Sequence, residues 1–221
     1  MKFLRGFNKN PMYIYLLKVK KKSDLKILFY MKKIFAFVGA SGTGKSSLGH
    51  YLQDNYDNIE FREVSARPYL ENCEKSYDEQ MTDKIQNRIM YGNLEMVYQT
   101  LLEAQFSEKT IVLSRCCIDV LAYARALKHG LDCEDLQEKT INFLSDKIIL
   151  LYTIPDFVLY DDKDKQRGMN EQVRQETDKE IINILNNLNI PFYLIRGDLK
   201  SRKETLDKIM SLYGLIKWEE I

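Results

Sequence analysis

The chain has 221 residues, 45% hydrophobic and 29% charged, with a net charge of +1, which is ordinary for a soluble globular protein with one proper core. No apolar run approaches the ~20 residues that cross a bilayer, so a membrane-spanning helix is excluded. Cys73, Cys116, Cys117 and Cys133 lack metal-ligand spacing, and His50 and His129 lie far apart, so the expectation is free thiols in a reducing cytosol and no His/Cys metal site.

Charge is uneven along the chain. Residues 1–30 hold eight basic side chains against Asp24 alone, a net of +7 that leaves −6 for the rest. This basic N-terminal extension reads as a poorly ordered leader, an unused upstream start or an arm for an acidic surface. Met31-Lys32-Lys33 is the expected start of the folded domain, 31–221.

From there the elements alternate. The apolar run at 33–38 predicts a buried parallel strand. Gly39-Ala40-Ser41-Gly42-Thr43-Gly44-Lys45-Ser46 follows, reading G-x-x-x-x-G-K-S. A helix is predicted over 44–54, with Leu48 and Leu52 on one face. Between strand and helix, such a glycine-rich loop turns its N–H groups onto phosphate oxygens, and the helix N-terminus adds positive partial charge. Gly39 to Ser46, together with Ser47, are therefore the expected nucleotide contacts. Lys45 is expected on the β- and γ-phosphates, and Ser46 is the expected Mg²⁺ ligand.

Further strands are predicted at 59–64, 110–113, 147–152 and 192–195. Helices are predicted at 78–106, 118–127, 134–144, 171–188 and 202–213. Met90, Leu94, Val97, Leu101 and Ala104 form an amphipathic stripe in the longest of them. Alternation of this kind predicts an α/β fold, a P-loop NTPase three-layer sandwich. Its sheet has about five parallel strands with helices on both faces. No repeat or second-domain linker is visible.

Three further groups of residues lie where such sheets bind ligands, off the carboxyl ends of the strands. Glu63 and Arg67 follow the second strand, one to orient or deprotonate an attacking hydroxyl, the other to hold a phosphate or a base edge. Arg115 leaves the third strand toward phosphate. Asp119 and Tyr123, four apart, share one helix face as substrate contacts, or Asp119 simply stabilises its helix's first turn. The charged run Tyr160 to Met169, with Arg167 and then Arg174, suits a lid near 156–170 that brings arginines to the transferring charge. No Asn/Thr-Lys-x-Asp base-reading motif is present, and the chain is short for a ring-forming ATPase with a second helical domain. What remains is a compact kinase of small metabolites.

On these residues the sequence resembles the compact AAA-type ATP-binding proteins related to the ribosylnicotinamide kinase domain and to thymidylate kinases. The matching positions are Gly39–Ser46, Glu63 with Ala66 and Arg67, Arg115 with Asp119 and Leu121-Ala122-Tyr123, and Asp162 with Arg167. The resemblance runs from Met31 to about Tyr213. It implies ATP and Mg²⁺ as cofactors and a small nucleoside or nucleotide as acceptor, and it makes a homodimer plausible; cysteine usage points to a cytoplasmic protein, and neither a nucleic-acid nor a membrane partner is expected. One departure stands out. Ser114 occupies the place where nucleotide kinases usually carry an acid that helps hold Mg²⁺ through water. Asp119 or Glu63 then compensates, or Ser46 and phosphate hold the metal, or catalysis is weakened. A nucleotide-binding sensor and a polynucleotide 5′-kinase are the alternative functions.

Overall fold

The computed structural model describes residues 34–64, 83–104, 106–127, 148–156 and 171–218. The chain divides into two units, Met1–Lys32 and Lys33–Ile221, and only the second contains described residues. The predicted 134–144 helix, the Tyr160–Met169 run and the basic extension lie outside them.

In chain order the elements are β1 (Ile34–Val38), α1 (Lys45–Asn55), β2 (Ile59–Arg62), α2 (Asp83–Ala104), β3 (Thr110–Leu113), α3 (Cys117–Ala126), β4 (Ile148–Thr153), α4 (Glu171–Asn187), β5 (Phe192–Ile195) and α5 (Leu199–Leu212). The five strands form one parallel sheet in the order β2-β3-β1-β4-β5. This is the α/β architecture that the alternation predicts. β1 is central and buried along its whole length, as a parallel strand covered on both faces must be.

The period-two alternation of β1 divides the core. Ile34, Ala36 and Val38 face Leu94 and Val97 of α2, Ile118 and Leu121 of α3, and Ile181, Ile184 and Leu185 of α4. Phe35 and Phe37 face Leu48 and Leu52 of α1 and Leu206, Ile209 and Met210 of α5. Three layers result, with the carboxyl ends of β1, β3 and β4 opening on one edge.

Two boundaries differ from the sequence reading in ways that bear on function. β2 ends at Arg62, so Glu63 and Val64 lie in the connection beyond it. α5 starts at Leu199 rather than Arg202, because Asp198 caps it by accepting from the Ser201 N–H at 2.8 Å. That early start places Arg202 inside the helix and turns it inward.

Candidate functional site

The P-loop links β1 to α1. Gly42 and Gly44 take left-handed backbone (φ 69° and 85°), which glycine adopts without a steric cost. Gly44 caps α1, which has no side-chain cap and no acid in its first turn. Those amides are thus left for an anion. Gly39 needs its missing side chain for a second reason: a Cβ there would collide with the carbonyl and hydroxyl oxygens of Thr153 on β4.

Residues far away in sequence hold this loop. Asp119, buried in the first turn of α3, accepts from the Gly39 N–H and the Cys116 N–H, both at 3.0 Å. One turn on, the Tyr123 hydroxyl accepts from the Ser41 N–H at 2.9 Å. Arg174, buried in α4, donates from Nε to the Ser41 carbonyl at 3.1 Å and from Nη1 to Glu171. Arg202 of α5 is buried too. It donates to the carbonyls of Thr43 (2.6 Å), Ile154 (2.9 Å) and Gly197 (2.8 Å), and it pairs with Asp156. The Thr43 and Thr153 hydroxyls meet at 2.9 Å. Three helices and β4 therefore hold the loop's shape.

Lys45 lies buried in the loop it belongs to. Its Nζ donates to the carbonyls of Gly39 and Ala40, both at 2.6 Å, and to Thr43 Oγ1 at 3.3 Å. Burial, then the nearby Arg115 guanidinium, pushes its pKa down from 10.5 to about 7. Arg174 adds to that push, while Asp119 and Asp178 oppose it. Burial raises the pKa of Asp119, against the pull of Lys45, Arg115 and the two amides. Asp178 of α4 is raised likewise by burial and accepts from the Tyr152 hydroxyl at 2.8 Å. Arg115 lies over the Tyr123 ring, 5.7 Å from its centroid. Lys45, Arg115 and Arg174 thus converge on one loop with Asp119 and Asp178 as the charges that balance them.

At the other end of the loop, Ser46 donates its hydroxyl to Glu63 Oε1 at 2.7 Å, and Ser47 is exposed beside it. Ser114 is buried, and its hydroxyl accepts from the Val64 N–H (2.7 Å) and donates to the Val64 carbonyl (3.2 Å). The sequence reading thus finds Gly39–Ser47, Glu63, Arg115, Asp119, Tyr123 and Arg174 gathered at one sheet edge. The expected substrate contacts Asp119 and Tyr123 have their polar atoms on the P-loop backbone. Arg67 and Arg167 lie outside the described residues. Arg202 and Thr153 escaped the reading because their partner, Thr43, lies over 100 positions away, and Asp178 because its hydrogen-bond partner Tyr152 sits on a different element.

A family model described as an AAA domain matches residues 34–202. The chain belongs to this AAA domain family. Its P-loop, the tips of β2, β3 and β4, and Arg202 all fall inside the matched segment. Among solved structures the AAA domain is similar to a NadR protein in complex with NR, at 21% identity and a TM-score of 0.65. That match covers 86% of this chain and 54% of the other. It is similar also to a thymidylate kinase from Ehrlichia chaffeensis (13% identity, TM-score 0.55, covering 80% of this chain and 98% of that one). A third likeness is to a deoxyadenosine kinase from M. mycoides with products bound (16%, 0.54, 80% and 98%). At these identities the likeness is one of fold, a P-loop kinase-like fold. The chain spans a little over half the length of the NadR chains it matches. No curated protein matches it. No described helix is long and apolar enough to cross a membrane.

Proposed function

We propose that the chain transfers a phosphoryl group from ATP to a small nucleoside or nucleotide. The observation that carries this reading is the convergence of Lys45, Arg115 and Arg174 on a P-loop that α3, α4, α5 and β4 hold in place. Burial, and after it the Arg115 guanidinium, holds the Lys45 pKa low, and an entering polyphosphate would favour its charged form. The loop amides and Lys45 cradle the donor phosphates. Lys45 swings from the Gly39 and Ala40 carbonyls to phosphate oxygens and takes its full charge there. Arg115 neutralises charge on the transferring group, a role that Arg167 shares in this reading. Arg174, Asp119 and Tyr123 position the loop, and Arg67 contacts the acceptor. Positioning and electrostatics supply nearly all the catalysis in this chemistry.

The site also suits Mg²⁺. A hydroxyl and a carboxylate, Ser46 and Glu63, are hard oxygen donors side by side. In this reading phosphate oxygens and water complete the coordination. When bound, Mg²⁺ neutralises charge that develops on the phosphates.

The test is ADP release with deoxynucleoside monophosphates, nucleosides and nicotinamide riboside as acceptors. Acceptor-dependent release that falls by orders of magnitude in Lys45→Ala supports the proposal. Release equal in Lys45→Ala and wild type overturns it. ATP bound yet unconsumed with every acceptor makes the chain a nucleotide-binding module, the reading that the uncharged Ser114 favours.

A further inference from the structure

P-loop chemistry pairs the loop's Ser with an acidic side chain at the metal. At the tip of β3 the chain offers only Ser114, whose hydroxyl is engaged by the Val64 backbone. The other described carboxylates around the loop are occupied elsewhere. Asp119 accepts two backbone N–H groups, Asp178 accepts from Tyr152, and Asp156 holds Gly197 and Arg202. Among the described residues, Glu63 is the carboxylate that reaches Ser46.

We infer that Glu63 supplies the acid of the metal site, acting beside Ser46, and that Ser114 is the residue that positions it. Ser114 grips both neighbours of Glu63. Its N–H donates to the Arg62 carbonyl at 3.0 Å, and its hydroxyl closes both hydrogen bonds with Val64. Fixed on either side, residue 63 projects its side chain over the first turn of α1. An acid at position 114 could not make this grip, because a carboxylate cannot donate to the Val64 carbonyl. The acid has in effect moved one strand outward, from the tip of β3 to the end of β2. This inference rests on the proposed nucleotide site and reassigns Glu63 from the acceptor to the metal.

The experiment measures Mn²⁺ binding to the full chain with a non-hydrolysable ATP analogue, by electron paramagnetic resonance. Glu63→Gln keeps the size and the hydrogen bond but removes the charge. It should weaken Mn²⁺ in the ternary complex about 10–100-fold and leave metal-free binding of the analogue unchanged. Ser114→Ala should weaken Mn²⁺ in the same direction, and Ser114→Thr, which restores the hydroxyl, should recover it. A structural role alone would lower the melting temperature of Ser114→Ala without changing Mn²⁺ affinity, and that result would overturn the positioning role. Equal Mn²⁺ affinity in Glu63→Gln and wild type, with acceptor phosphorylation reduced, would return Glu63 to the acceptor and sink the inference. Wild-type protein that retains no Mn²⁺–analogue complex would remove the nucleotide site itself, and this inference with it.

Discussion

Lys45 is buried against the Gly39 and Ala40 carbonyls, and the proposed nucleotide site makes it the residue whose charge a ligand would change. Its folded pKa, about 7, lies below the ordinary 10.5. Below pH 7 both folded and unfolded chains carry the proton, and folding bears the cost of burying it. Between about pH 7 and 10.5 the unfolded chain binds more protons, so this group's contribution to apo stability rises with pH. Phosphates favour the ammonium form. Nucleotide binding at pH 8 should therefore take up about one proton relative to Lys45→Met, and at pH 6 none. Calorimetry in buffers of different ionisation heat reads this directly, and an uptake independent of pH would contradict it. The residue was legible in the sequence as the lysine of the P-loop. The charges around it were not, since Arg115, in the connection after β3, and Asp119, on α3, lie some 70 residues on.

Among the elements, α1 and α5 are tied together by a polar knot behind the P-loop. Asp207 of α5 accepts from the Tyr51 hydroxyl (2.9 Å), the Tyr56 hydroxyl (2.8 Å) and Lys217 Nζ (2.6 Å). Lys217 also reaches Tyr51, and its backbone bridges Tyr56. The Asp207 carboxylate raises the pKa of Lys217. Asp207→Ala leaves two hydroxyls and an ammonium without their acceptor. It should lower the unfolding free energy by about 1–3 kcal/mol, read as a shift in denaturant midpoint. Because the knot's hydrogen bonds among the described residues do not reach the P-loop backbone, nucleotide affinity should be unchanged at temperatures where the variant is folded. The helices themselves were readable from periodicity. The knot was not, because Tyr51 and Asp207 are 156 positions apart.

For the whole molecule, the loop is a junction. α3, α4, α5 and β4 all hydrogen-bond to it, from both sides of the sheet. A ligand that grips the loop should therefore stabilise the entire domain. At 100 times its Kd, an ATP analogue should add about 2.7 kcal/mol and raise Tm by roughly 5–10 °C for a chain of this size. Thermal scans of wild type and Lys45→Ala check this; an equal rise in both would show that the analogue binds elsewhere.

The sequence by itself determined the strands, the layer order and the P-loop. Each of these is written in local pattern: apolar runs of strand length, helical periodicity, and glycines at fixed offsets ahead of Lys45 and Ser46. It also marked Asp119 and Tyr123 as neighbours on one helix face, because four residues make about one turn. Only the tertiary structure decided what that face touches, which is the loop backbone. The tertiary structure likewise decided that Arg202 and Thr153 belong to the site and that Glu63 rather than residue 114 meets Ser46. Those pairings depend on strand order and on where each helix returns to the sheet edge, and no window of local sequence contains both partners.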